Sequence, residues 1–159
     1  MFAYSEEAEK KIEKILSKYP EKHKQSALLP LLTLAQRQEG HVSPDAMREI
    51  ARRLDVSPAY VQSVASFYTM YTLGEPVGKY TILFCINISC QLNGCDALLD
   101  YTAKKLNIKP GETTADKKFT LRREECLAAC TGGPMMRVND TYHENISPER
   151  IDQILDSLK

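Results

Sequence analysis

The sequence predicts an α+β fold in two parts, a helical N-terminal region over residues 1–75 and a domain of order β-α-β-β-β-α over residues 76–159. Three observations carry this. Apolar residues recur at helical spacing from Glu6 to Met70. Residues 72–79, Thr-Leu-Gly-Glu-Pro-Val-Gly-Lys, then break the pattern with two Gly and a Pro. Beyond that break, short β-branched and aromatic runs alternate with helical segments.

In the first part, Glu6 to Lys18 carries Ala8, Ile12, Ile15 and Leu16 on a charged background and stops before Pro20. Ser26 is expected to open a second helix through Leu28, Leu31, Leu32 and Ala35. That helix has Pro30 near its first turn, where it can delay the start, and ends at Gly40. Ser43-Pro44 and Ser57-Pro58 each announce a further helix, because Ser caps free N–H groups and Pro at the first helical position has none to lose. These helices are predicted to run to about Leu54 and Met70.

In the second part, Tyr80–Cys85 reads as a buried strand and Cys95–Leu106 as a helix. Phe119–Arg123 reads as a second strand and Met135–Val138 as a third, which Asn139-Asp140 turns into a fourth near Tyr142. Ser147-Pro148 caps a last helix carrying Ile151, Ile154, Leu155 and Leu158. One parallel crossover, a hairpin and a covering helix are the order of a thioredoxin-like domain.

Composition narrows the function. The chain has 21 basic and 21 acidic residues, and residues 1–79 alone balance 11 against 10. Neither part has the basic excess from which nucleic-acid binders draw most of their affinity, so no nucleic-acid partner is expected. The N-terminus shows no signal-peptide pattern, and no apolar run approaches the roughly 20 residues that span a bilayer. A soluble, cytoplasmic protein with no direct membrane insertion is therefore expected. There is no Gly-x-Gly-x-x-Gly after a strand and no phosphate-binding loop, so the chain shows no nucleotide site of its own and no catalytic residue is assigned.

The five cysteines, Cys85, Cys90, Cys95, Cys126 and Cys130, all lie in the second part. Without an export signal such clustering points to metal or redox chemistry rather than a disulfide framework. Cys85-x4-Cys90 closes the first strand and Cys126-x3-Cys130 follows the second, so a parallel pair would bring both thiol pairs to one sheet edge. Two pairs on two loops suit a [2Fe-2S] cluster, whose irons take two thiolates each. The cluster would carry a formal charge of about −2 oxidised and about −3 reduced. Backbone amides from Thr131-Gly132-Gly133 could approach its sulfurs. Zinc also accepts four thiolates, although its pairs are usually closer. Buried unligated thiols are the plainest alternative. A thiol–disulfide enzyme would need Cys-x2-Cys at a helix start, which is absent. Cys95 reads as a small buried hydrophobe, and His23, His41 and His143 as surface residues.

The chain resembles the small thioredoxin-like [2Fe-2S] subunit of the NADH dehydrogenase module of respiratory complex I (NADH:quinone oxidoreductase). The resemblance runs through Leu34–Gln38, Ser66–Tyr71, Pro76–Tyr80 and Gly111–Lys117. It is strongest at Cys85-x4-Cys90, Glu125-Cys-Leu-Ala-Ala-Cys130, Gly133-Pro-Met-Met136 and Val138-Asn-Asp140. It implies a thioredoxin-like [2Fe-2S] ferredoxin domain with Cys85, Cys90, Cys126 and Cys130 as cluster ligands and Cys95 outside the ligand set. The segment Ile86-Asn-Ile-Ser89 departs from the Thr/Ser-rich form of the family. The implied partner is a larger iron–sulfur subunit that binds NADH and holds FMN. The N-terminal helices would dock on that partner, and the chain alone would not oxidise NADH. The complex would hold it peripherally at the cytoplasmic face of a bacterial membrane. The small subunits of NAD-linked hydrogenases and formate dehydrogenases are similar and form the nearest alternative.

A more distant alternative is an iron–sulfur transcription regulator, since residues 44–67 could pass for a helix-turn-helix. Its second helix, from Pro58 to Phe67, has no Lys or Arg for phosphates or guanine, and Arg48, Arg52 and Arg53 lie on the first helix.

Overall fold

The computed structural model describes residues 2–74 and 76–158. Glu75, within the expected break, lies outside the described residues. The chain divides into two compact units, Met1–Pro76 and Val77–Lys159.

The first unit contains α1 (Glu6–Leu16), a 3-10 segment (Glu21–Ala27), α2 (Leu28–Glu39), α3 (Pro44–Leu54) and α4 (Pro58–Phe67). The Ser5, Ser43 and Ser57 hydroxyls accept from the N–H groups of Ala8, Ala46 and Tyr60, so each of these helices starts on a satisfied amide. Gly40 ends α2 in the left-handed region at φ 75°, where a side chain would be strained. Apolar faces meet in one core that includes Ile12, Leu31, Leu32, Ile50, Leu54, Val61 and Tyr71. Tyr71 also donates its hydroxyl to the Leu29 carbonyl at 2.8 Å.

Two boundaries differ from the sequence reading. Ser26 does not open α2; it lies in the 3-10 segment, and α2 begins at Leu28 without a side-chain cap. The fourth helix ends at Phe67 instead of Met70, because Tyr68 turns extended at φ −97°, ψ 117°. The arginines of α3 are tied up within the unit. Arg53 bonds Glu9 and Glu49, Arg52 bonds Glu49, and Arg48 bonds Asp45. Exposed pairs of this kind make the ordinary solvated face of a helix, and the second helix of the helix-turn-helix alternative, Pro58–Phe67, carries no Lys or Arg.

The second unit contains β1 (Tyr80–Cys85), α5 (Ile88–Leu92), α6 (Cys95–Leu106), β2 (Phe119–Glu124), β3 (Met136–Val138), β4 (Thr141–His143) and α7 (Pro148–Ser157). The sheet order is β2-β1-β3-β4, with β1 parallel to β2 and antiparallel to β3, and β3 antiparallel to β4. Alternation along β1 sends Ile82 and Phe84 to one face, where they pack with Leu121, Met136, Val138, Leu99 of α6 and Ile151 of α7. Leu83 and Cys85 face the other way and join a second cluster with Cys90, Cys95, Leu127 and Met135.

Candidate metal centre

Cys85 is the last residue of β1 and stands in register with Glu124, the last residue of β2. Ile86 N–H still reaches the Glu124 carbonyl at 2.9 Å, so the two strands leave the sheet side by side. Cys126 follows two residues later. The parallel pair therefore delivers both cysteine segments to one sheet edge, as the spacing predicts.

The chain after β1 folds into the five-residue helix α5, which presents Cys90 inward and leaves Ile88 and Leu92 exposed. Sequence reasoning missed this helix. Asn87 sits where a cap residue would signal it, but its side chain makes no capping bond. Ser89, also on α5, donates its hydroxyl to the Cys130 carbonyl at 3.0 Å and ties the two cysteine segments together.

The second segment turns through Ala128, at φ 58°, whose N–H lies 3.4 Å from the Cys126 sulfur. Cys130 opens a 3-10 turn to Gly132, and Gly133–Pro134 is cis. A Cβ added at Gly133 would stand 3.3 Å from the Cys90 sulfur, so the backbone approaches that thiol as closely as a glycine allows. Gly132 is pressed from its other side: the Glu144 carboxylate fills the space a Cβ would take. Asn145 N–H donates to the Gly132 carbonyl at 2.7 Å. The Gly132 and Gly133 N–H groups, foreseen as donors to sulfur, donate instead to the Ala129 and Cys130 carbonyls at 3.1 and 3.4 Å, and the two glycines serve close packing.

The five thiols differ in exposure. Cys85, Cys90 and Cys95 are buried, whereas Cys126 and Cys130 are exposed. Burial, followed by the adjacent Cys85 thiol, pushes Cys90 up to about 11. Burial also raises Cys95, with Asp96 and Cys85 adding to it. A buried thiolate here is costly until a cation stands beside it. Cys95 starts α6 with no exposed surface, as its reading as a small hydrophobe requires. Of the histidines only His23 is exposed; His41 and His143 are half-buried, which corrects the surface reading for these two.

Among the described residues no three His, Cys, Asp or Glu side chains gather closely enough to hold a single metal ion. The thiols stand as two pairs on two segments. That donor set fits a binuclear cluster, with Gly133 leaving room beside Cys90 and the Ala128 amide directed at Cys126.

A mixed sheet covered on one face by α6 and α7, with cysteine pairs beyond its parallel strands, is the architecture of a thioredoxin-like iron–sulfur protein. Residues 12–159 match the thioredoxin-like [2Fe-2S] ferredoxin family, and the chain belongs to it. It is 43% identical over 148 residues to a protein of Rickettsia bellii named as one of the subunits of NADH-quinone oxidoreductase, covering 92% of this chain and 88% of that one. It is 41% identical over 159 residues to the mitochondrial NADH dehydrogenase [ubiquinone] flavoprotein 2 of Dictyostelium discoideum, covering 99% of this chain and 64% of that one. Among solved structures, a chain of an NAD+-reducing [NiFe]-hydrogenase in its air-oxidized state shares the fold. Its TM-score is 0.70 at 22% identity, covering 80% of this chain and 22% of that one.

Proposed function

We propose that this chain is the electron-transfer subunit of an NADH:quinone oxidoreductase, with a [2Fe-2S] cluster on Cys85, Cys90, Cys126 and Cys130. Its electron partner is the FMN of a larger NADH-binding subunit. The observation that carries this reading is the delivery of two cysteine pairs to one sheet edge by the parallel β1–β2 pair. Relatives named as parts of NADH-quinone oxidoreductase and NADH dehydrogenase support the assembly.

A [2Fe-2S] cluster bound there supplies one-electron chemistry. The residues of the chain set its surroundings. Cys85 and Cys90 hold the inner side, among Leu83, Leu127 and Met135, where water is excluded. Cys126 and Cys130 hold the outer side, where exposure leaves the short path an electron needs to a partner. The Ala128 amide offsets negative charge at Cys126. Cys95 takes no part.

The N-terminal unit is assigned to partner docking. Phe67, the last residue of α4, is 79% exposed and Met70, three residues beyond it, 48% exposed, a composition enriched in interface cores. No helix among the described residues is long and apolar enough to cross a membrane. The chain is assigned to the cytoplasmic side, peripheral through its complex.

Co-expression with the candidate flavin subunit and anaerobic co-purification tests the assembly. The two should elute together, and NADH should bleach the cluster absorption only when the flavin subunit is present. Reduction of the isolated chain by NADH would overturn the division of labour.

A further inference from the structure

The β3–β4 hairpin and α7 flank an open cavity of about 400 Å³ that the redox reading leaves unused. It opens beside Tyr80, where β1 starts, whereas Cys85 ends that strand. The size falls within the roughly 300–1,000 Å³ of small-molecule sites. Its lining includes the apolar Val138, Ile154 and Leu158 and the basic His143 and Arg150.

Three acidic side chains on the flanking segments are turned to other partners. Glu149 accepts from the Ser147 hydroxyl at 2.7 Å, Asp152 pairs with Lys105 at 2.8 Å, and the Glu144 carboxylate covers Gly132. Among the described residues no carboxylate lines the cavity. The Arg150 side chain bonds Gln153 at 3.2 Å through one of its terminal nitrogens, which leaves the rest of its donor fork available. Burial, and then the charge of Arg150, holds the His143 imidazole below its ordinary range, which places the two groups within each other's field. The Asn139 side chain is committed to the Thr81 N–H and the Lys79 carbonyl, fixing the rim. An arginine cation and an imidazole beside apolar side chains, with no counter-charge among the described lining residues, complement an oxyanion that carries an apolar group.

We propose that this cavity binds a small organic oxyanion, a phosphate or carboxylate, with Arg150 and His143 meeting the oxyanion and Val138, Ile154 and Leu158 its apolar part. The lining includes none of the four proposed cluster ligands, although His143 stands in register with Met136 and so with Phe84, and the test does not depend on electron transfer.

The experiment is calorimetric titration of the full-length, cluster-bearing protein with phenyl phosphate, benzoate and inorganic phosphate, with the His143 resonance followed by NMR. Phenyl phosphate or benzoate should bind saturably at one site and move the His143 titration to higher pH. Whichever of the two binds identifies the headgroup. Inorganic phosphate should bind about tenfold more weakly, lacking the apolar group. Arg150→Gln should weaken binding at least about tenfold while leaving the melting temperature and cluster spectrum unchanged. His143→Gln, a second variant, should also weaken it. No saturable binding by about 10 mM of either organic probe would overturn the proposal. So would binding indifferent to both substitutions, or inorganic phosphate binding as tightly as phenyl phosphate.

Discussion

A methyl group added at Gly133 would press on the Cys90 sulfur from 3.3 Å, closer than most real contacts of that kind. Gly133 itself has φ −70° and ψ 146°, which alanine adopts without strain. Gly133→Ala should therefore spare the backbone and disturb the thiol. The expected outcome is a folded protein whose visible absorption is shifted or whose cluster is lost more readily to chelators. An unchanged spectrum and chelation rate would separate Gly133 from the site. Cys95→Ala is the opposite case: it should keep the spectrum and cost about 1 kcal/mol in denaturant unfolding, the effect of trimming a small buried side chain. At this scale the sequence shows residue types and spacing, so the two cysteine pairs are legible in it. That Cys85 and Cys90 are buried and Cys126 and Cys130 exposed is not, because exposure depends on Leu127 and Met135 folding over one pair from distant positions.

The helices behave as their ends dictate. The Ser147 hydroxyl accepts from Arg150 N–H at 3.2 Å with Pro148 at the first helical position, and Ser43 and Ser57 repeat the arrangement. Ser43→Ala should cost about 1 kcal/mol, read as a lower unfolding midpoint in urea. Within α3, hydrogen bonds from Arg52 and then Arg53 hold the Glu49 carboxyl at about 2, against burial that opposes them. A carboxyl lowered in the folded state stabilises most above its unfolded value of 4.5, and that contribution is lost as pH falls from about 4.5 toward about 2. Glu49→Gln should flatten the acid limb of stability over that window, measured by unfolding at stepped pH. Serine–proline pairs make α3, α4 and α7 legible, and a β-branched run does so for β1. The five residues of α5 have neither a bonded cap nor a full amphipathic turn, and they are held by Cys90 packing inward and Ser89 bonding Cys130. Such a helix has no local signal to read. The early end of α4 is similar, since Tyr71 is drawn into the core of its unit.

Over the whole molecule, the chain divides into two units, Met1–Pro76 with one apolar core and Val77–Lys159 with two apolar clusters. All four proposed ligands lie in the second unit. Deleting residues 1–75 should leave a domain that still assembles its cluster but no longer co-purifies with the flavin subunit. Equal retention by that subunit would move the main dock to the thioredoxin-like domain. The central claim, a [2Fe-2S] cluster on two cysteine pairs, is tested most directly by iron and acid-labile sulfide content after anaerobic purification, repeated on each single cysteine variant. About two irons and two sulfides per chain are expected. They should be lost or markedly depleted in Cys85→Ala, Cys90→Ala, Cys126→Ala and Cys130→Ala, and retained in Cys95→Ala. A colourless protein with one zinc, or cluster loss confined to the Cys95 variant, would contradict it.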